Sequence, residues 1–181
     1  MKLKHLLFVL FAFTALVSAC NDDDNEIDTE WKEANEAKFA EIAANSGYKK
    51  LESQSNNGYI MYKVLNEGSG DKSPFFSDNV KVKYQGWFKY DWNKADTYID
   101  ENENYITNKN VFDKSLVTPA SFKVSSLVDG FSTALQYMVV GDKWEIWIPW
   151  KLGYGATGYS SGSIAGYTTL VFEIELVEIV E

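Results

Sequence analysis

The chain has one cysteine, one histidine and no arginine. Cys20 and His5 both fall within the first twenty residues, so everything downstream lacks thiol and imidazole. That excludes disulfides, thiol nucleophiles, imidazole bases and His/Cys metal sites from a folded domain. All 17 basic residues are lysines, set against 26 acids, for a formal net charge of −9. An acidic, arginine-free surface repels phosphate backbones and argues against nucleic acid as a partner. Chemistry is left to tyrosine, carboxylate, lysine, hydroxyl groups and shape.

What the chain does have begins with a leader. Lys2, Lys4 and His5 precede an apolar run, Leu6–Val17, too short to span a bilayer as a stable helix. It ends in Val17-Ser18-Ala19-Cys20, which resembles the lipobox of bacterial lipoproteins. Residues 1–19 are therefore expected to be a signal peptide, cut before an acylated Cys20. Lipid chains anchor by burying CH₂ groups at about 0.8 kcal/mol each, so Cys20 would hold the protein at a membrane. The expected location is a bacterial envelope membrane, the outer one, facing periplasm or surface. Loss of Lys2 and Lys4 with the leader takes the net charge from −9 to −11. Residues 20–28 read as an acidic, disordered tether. Its Asp22-Asp23-Asp24 resembles the acidic export signals of surface lipoproteins.

Residues 29–57 read as a helix and a linker. Thr29 to about Ser46 is rich in Ala, Glu and Lys, with Trp31, Phe39, Ile42 and Ala43 as a partial apolar stripe. Ser53–Gly58 carries turn residues and reads as a second tether. Residues 58–181 form the main domain. Ile60, Tyr62 and Val64 alternate on one strand face, and Val80, Val82 and Tyr84 on another. A polar excursion at about 88–110 reads as an insertion, with a small hairpin in it. Phe112-Asp113 resumes the domain and Ser121–Val124 is a short strand. Ser125 or Ser126 is placed to cap a helix bearing Leu127, Val128, Phe131, Ala134, Leu135 and Met138, with Gly141 at its end. Two apolar strands, Trp144–Ile148 and Thr169–Leu176, close the chain. The order implies an α+β fold in which an antiparallel sheet wraps one short helix.

Several motifs match only in letters. Gly153-Tyr-Gly155-Ala-Thr-Gly158 fits the dinucleotide pattern, but no helix is expected after it to receive a pyrophosphate. Ser160, within Gly158-Tyr-Ser160-Ser-Gly162, has no histidine to serve as its base. Asp100, Asn102 and Asn104 resemble the start of a calcium loop, with Tyr105 where the turn needs glycine. No spacing singles out a carboxylate pair for glycoside hydrolysis. Aromatics are 15% of the chain. Trp147, Trp150, Tyr154, Tyr159 and Tyr167 cluster around one glycine-rich loop, more than packing alone requires.

Seven ordered patterns between about Tyr59 and Val180 resemble the FKBP-type peptidyl-prolyl isomerases. They are Val80-Lys-Val-Lys-Tyr84-Gln-Gly86, Val111-Phe112-Asp113-Lys-Ser115, Ser121-Phe122-Lys-Val124 and Leu127-Val128-Asp-Gly130-Phe131. Met138-x-x-Gly141-Asp142-Lys143, Ile148-Pro149-x-x-Leu152-x-Tyr154-Gly155 and Thr169-Leu170-Val171-Phe172-x-Ile174-x-Leu176 complete the set. The resemblance implies a five- to six-stranded antiparallel half-barrel around one short helix, with a pocket between them. Phe131 would floor that pocket, where most of the family has Trp. Tyr84, Phe112, Phe122, Leu127, Val128, Ile164 and Phe172 would wall it, and Tyr159 would reach in. Tyr154 would donate to a substrate carbonyl, with Asp113 beside the twisting amide. Tyr84, Asp113, Tyr154 and Phe172 are thus the implied catalytic set.

Isomerisation needs no cofactor or metal, and none is implied. The implied partners are proline-containing peptides or unfolded exported proteins, with macrolides of the rapamycin type as inhibitors. A monomer is expected. The alternative reading is a non-catalytic binding lipoprotein that uses the pocket or the 88–110 insertion to hold a partner. Ala165-Gly166 stands where the family commonly has Pro-Pro.

Overall fold

Adjacent apolar residues in several strands, such as Ile60-Met61, Ile146-Trp147 and Val171-Phe172, need cover on both faces of a sheet, because side chains alternate sides along a strand. The computed structural model, which describes residues 23–180, provides it with two helices. The elements are α1 (Asp23–Ala43), β1 (Lys49–Glu52), β2 (Tyr59–Asn66), β3 (Asn79–Lys89), β4 (Thr97–Ile99), β5 (Tyr105–Thr107), β6 (Lys109–Lys123), α2 (Asp129–Leu135), β7 (Lys143–Ile148) and β8 (Leu170–Val180). Six strands form an antiparallel sheet in the order β1-β2-β7-β8-β3-β6, and β4 and β5 form a separate hairpin.

One core lies between the sheet and α2. It holds Ile60, Val80, Val82, Phe131, Leu135, Ile146, Ile148, Phe172 and Ile174. A second lies against α1 and holds Phe39, Ile42, Met61, Trp87, Trp147 and Val171. Side chains of this size contribute about 1.5–3 kcal/mol each when fully buried. Among the described residues, no helix is long and apolar enough to cross a membrane.

The α+β architecture follows the expectation, while several boundaries move. The leader, Cys20 and the first residues of the tether lie outside the described residues. Helix α1 starts at Asp23, not Thr29, so part of the acidic stretch expected to be a disordered tether is its first turns. Strand β1 is an addition, and Ser53–Gly58 is the loop of the β1–β2 hairpin instead of a tether. No serine caps α2: its N-cap is Val128, without a side-chain bond, after a 3₁₀ turn at Val124–Ser126. Phe112-Asp113 and Ser121–Lys123 belong to one long strand, β6. Trp87 and Phe88 stay in β3 and are buried, so only residues 90–108 leave the main sheet between β3 and β6.

Candidate active site

Between α2, the sheet and the loop after β7 lies a cavity of about 290 Å³. Its lining is Tyr84 from β3, Phe112, Asp113 and Phe122 from β6, and Ser126, Leu127 and Val128 from the turn before α2. Phe131 of α2, Tyr154 and Tyr159 of the loop and Phe172 of β8 complete it. The sequence-predicted pocket residues thus converge, with the exception of Ile164. It is buried in the same cluster as Tyr84, Phe131 and Phe172, and its backbone bonds to Tyr159. Ser126 lines the cavity without having been anticipated, and its hydroxyl donates to Lys123 O at 2.7 Å.

Two consecutive residues of β6, Phe112 and Asp113, reach the same cavity because the strand is bulged there. Asp113 pairs with Gly86 and Val111 with Trp87, which leaves Phe112 unopposed. An extra residue of this kind breaks the alternation and re-aims side chains. Opposite the bulge, Gly86 leaves room for the rings. A Cβ there would sit 2.4 Å from Phe172 Cε1 and 2.8 Å from Phe112 Cζ. A second irregularity, between Ser115 and Ala120, leaves Leu116 and Val117 exposed to solvent.

The floor is aromatic edges meeting aromatic faces. Phe131, only 3% exposed, meets Phe172 at 5.1 Å and Tyr84 at 6.0 Å, both near-perpendicular. Phe112 meets Phe172 in the same way at 5.5 Å. Such edge-to-face pairs lock ring orientation beyond what burial alone achieves.

The polar groups sit among these rings. The Tyr84 hydroxyl donates to Asp113 Oδ2 at 2.6 Å. Burial, and then the Asp113 carboxylate accepting that bond, push Tyr84 above the ordinary tyrosine range, so it stays a protonated donor. Tyr154 is also raised, first by burial and then by Tyr159 and Asp113 nearby. Its ring stacks on Tyr159 at 5.0 Å and 13°. Tyr159 N donates to Ile164 O at 2.8 Å and Ile164 N to Tyr159 O at 3.0 Å, which pinches the loop into a small flap. Gly158, at φ +70°, makes the sharp entry to that flap, and a side chain there would meet Ile164 O at 2.2 Å.

The coincidental motifs resolve as structure. No helix follows Gly153–Gly158, and Ser160 begins a single 3₁₀ turn. Asp100 caps the β4–β5 tip by accepting from Asn102 N, Asn104 N and Asn104 Nδ2. Among the described residues, no group of three or more His, Cys, Asp or Glu side chains is arranged to hold a metal.

Residues 70–177 match the family of FKBP-type peptidyl-prolyl cis-trans isomerases. The FKBP-type 22 kDa peptidyl-prolyl cis-trans isomerase of Escherichia coli is 36% identical over 122 residues, which are 66% of this chain and 50% of that protein. The outer membrane protein MIP of Legionella longbeachae is 34% identical over 66% of this chain and 44% of its own length. The chain spans about half the length of the curated relatives it matches. A solved peptidyl-prolyl cis-trans isomerase from Pseudomonas syringae superposes with a TM-score of 0.64 at 29% identity, covering 84% of this chain and 96% of that one.

Proposed function

The chain belongs to the FKBP-type peptidyl-prolyl cis-trans isomerase family, and on that premise we propose that its aromatic cavity binds X–Pro segments of exported proteins and speeds rotation about the bond before proline. The barrier to that rotation is about 18–20 kcal/mol, most of it amide resonance. No covalent bond forms or breaks, so the site needs neither nucleophile nor metal.

The geometry supports the following roles. The proline ring sits against Phe131, between the edges of Tyr84 and Phe172, with Phe112, Phe122, Leu127 and Val128 excluding water. A dry apolar enclosure disfavours the polar planar amide relative to the twisted one, in which conjugation is lost. Tyr154 lies at the rim with its hydroxyl protonated, placed to donate to the carbonyl of the residue before proline. Tyr84 holds Asp113 to the wall, beside the reorienting carbonyl. Tyr159 and the Ile164 backbone form the flap over the bound segment. The observation that carries this reading is the buried Phe131, ringed by perpendicular aromatics with tyrosine hydroxyls at the rim.

In the same reading residues 1–19 are a lipoprotein leader, Cys20 is the anchor at the outer membrane, and 58–181 form the isomerase domain, acting as a monomer. Cys20→Ser would release the protein from the membrane fraction. A chain from Asn21 onward, which retains all of α1, is expected to accelerate cis-to-trans conversion of Leu-Pro and Phe-Pro peptides, with inhibition by a rapamycin-type macrolide. A folded sample with no acceleration above the uncatalysed rate would end the proposal.

A further inference from the structure

We propose that Asn35 and Trp31 of α1 are positioning residues of the pocket. They fasten the return limb of the flap loop, Ala165–Thr169, and thereby hold Tyr159 over Tyr154. This rests on the isomerase reading of the pocket.

Trp31, Asn35, Phe39 and Ile42 share one face of α1, spaced by four, four and three residues. Phe39 and Ile42 bury as apolar residues do, in the second core. Asn35 is different: an amide with no exposed surface, set between two hydrophobic clusters. A buried amide persists where its donors and acceptors are matched, and such a matched network fixes the segments it joins. Asn35 Oδ1 accepts from Thr169 N at 2.8 Å and from Trp92 Nε1 at 3.1 Å. Its Nδ2 donates to Trp31 O at 2.8 Å, and its backbone carbonyl accepts from Thr169 Oγ1 at 3.1 Å. One residue therefore ties α1 to the 90–108 excursion and to the segment that enters β8.

One turn earlier the same face grips the loop again. Trp31 Nε1 donates to Thr168 Oγ1 at 3.2 Å, and that hydroxyl donates to Ala165 O at 2.7 Å. The Trp31 ring also meets Phe88 edge-on at 6.2 Å, and Phe88 stacks on Phe112, a wall of the cavity, at 6.3 Å. Lys32 Nζ lies 5.4 Å from the Tyr167 ring centre, and Tyr167 itself packs on Trp150. The flap's other ties are short-range. Tyr159 is 46% exposed and its ring stacks on Tyr154. Its backbone bonds to Gly162 and Ile164 within the flap, and Gly158 N and Tyr167 N bond to Tyr154 O and Gly155 O in the same loop. The ties from the loop to α1 are those of Thr168 and Thr169, just after the flap. Where residues 165–169 are held, the flap follows.

The test uses the full-length chain in detergent with Asn35→Ala, Trp31→Phe and Thr168→Val, read by amide hydrogen exchange and by peptide kinetics. Trp31→Phe keeps a ring but loses the Nε1 donor, and Thr168→Val loses only the hydroxyl, so both probe the grip if Asn35→Ala fails to fold. Exchange at the Tyr159 and Ile164 amides is expected to quicken about tenfold, the equivalent of one lost hydrogen bond, while Ile174 and Leu176 in β8 stay protected. KM for a Leu-Pro peptide is expected to rise several-fold with kcat nearly unchanged, because an untethered flap weakens binding more than it alters the floor. Flap exchange and KM as in wild type, or an acceleration spread evenly over flap and core, would each overturn the proposal. An inactive wild-type chain would instead sink the isomerase reading, with the exchange result still deciding whether α1 holds the flap.

Discussion

The Tyr84 hydroxyl donates a 2.6 Å hydrogen bond to Asp113 Oδ2, joining β3 to the bulge of β6 inside the cavity. Each residue is placed by a different device. Tyr84 lies on the buried face of an alternating strand, and Asp113 is turned inward by the unopposed Phe112. Tyr84→Phe removes a donor from a half-buried bond whose carboxylate partner is exposed to water. It is expected to cost about 0.5–1.5 kcal/mol of stability in urea titrations. A double-mutant cycle with Asp113→Ala should return a coupling of about 0.5–3 kcal/mol, whereas strictly additive losses would mean the pair does not act as one unit.

Gly86 faces that pair from β3, and its missing side chain is what lets Phe172 and Phe112 meet edge to face. Gly86→Ala places a methyl group 2.4 Å from Phe172 Cε1. The rings have to shift, and overpacking of this kind costs about 1–3 kcal/mol. Thermal unfolding of the variant is expected to show that loss together with a fall in kcat/KM, since the displaced rings are the cavity wall. An unchanged melting temperature would show that the wall is softer than the contacts indicate.

The alternation of Val80, Val82 and Tyr84 and the aromatic crowding after Ile148 made the sheet and the loop readable in the sequence, because both are local patterns. The pocket's membership was readable through motif order. What stayed hidden is non-local. Strand β1 is four residues long with mostly exposed side chains, so its pairing with β2, and not its own pattern, defines it. The bulge at Phe112 is a matter of register against Gly86 and leaves no trace in composition. Asn35 is one polar residue among the Ala, Glu and Lys of α1 and belongs to no motif. Only its position four residues after Trp31, on the stripe that includes Phe39 and Ile42, marks it as inward-facing. Ile164 is absent from the cavity lining, though it belongs to the same buried cluster as Tyr84, Phe131 and Phe172, and its backbone holds Tyr159.

The second face of the sheet carries a titration prediction. Tyr48 donates to Glu145 Oε1 at 2.5 Å, and Trp147 Nε1 donates to the same oxygen at 2.8 Å. Burial first, and then Glu145, push the Tyr48 pKa up to about 12. In the unfolded chain the phenol ionises near pH 10. Between about pH 10 and 12 the unfolded state has therefore released a proton that the native state retains, so stability falls as pH rises through that window. Tyr84, raised in the same direction, adds to the slope. Urea midpoints are expected to be flat from pH 7 to 9 and to drop above pH 10, with a shallower drop in Tyr48→Phe. A midpoint that climbs above pH 10 would contradict the assignment.

Removing the β4–β5 hairpin distinguishes the isomerase reading from the partner-holding one. Its strands pair only with each other, and it is closed at its base by Asp96 O, which accepts from Asn108 N at 2.8 Å and Lys109 N at 3.0 Å. Buried Asn108 secures that base further, donating to the carbonyls of Asp91 and Ala95 at 2.8 Å each. Replacing residues 97–107 by two glycines should thus leave Asp96, Asn108 and the Trp92–Asn35 bond in place. The melting temperature is expected to move by no more than about 4 °C, the scale of one kcal/mol for a chain of this size. Ile99 and Tyr105 are mostly exposed on the hairpin and lie outside the pocket lining, so turnover of a Leu-Pro peptide is expected to stay within about twofold of wild type, far less than one lost hydrogen bond to the pocket. If small-peptide turnover collapsed while the fold survived, the hairpin would have to be counted as part of the active site. If turnover held but refolding of a proline-limited protein slowed, the hairpin would be a holding surface for longer chains, and the partner-binding reading would describe this segment and not the pocket.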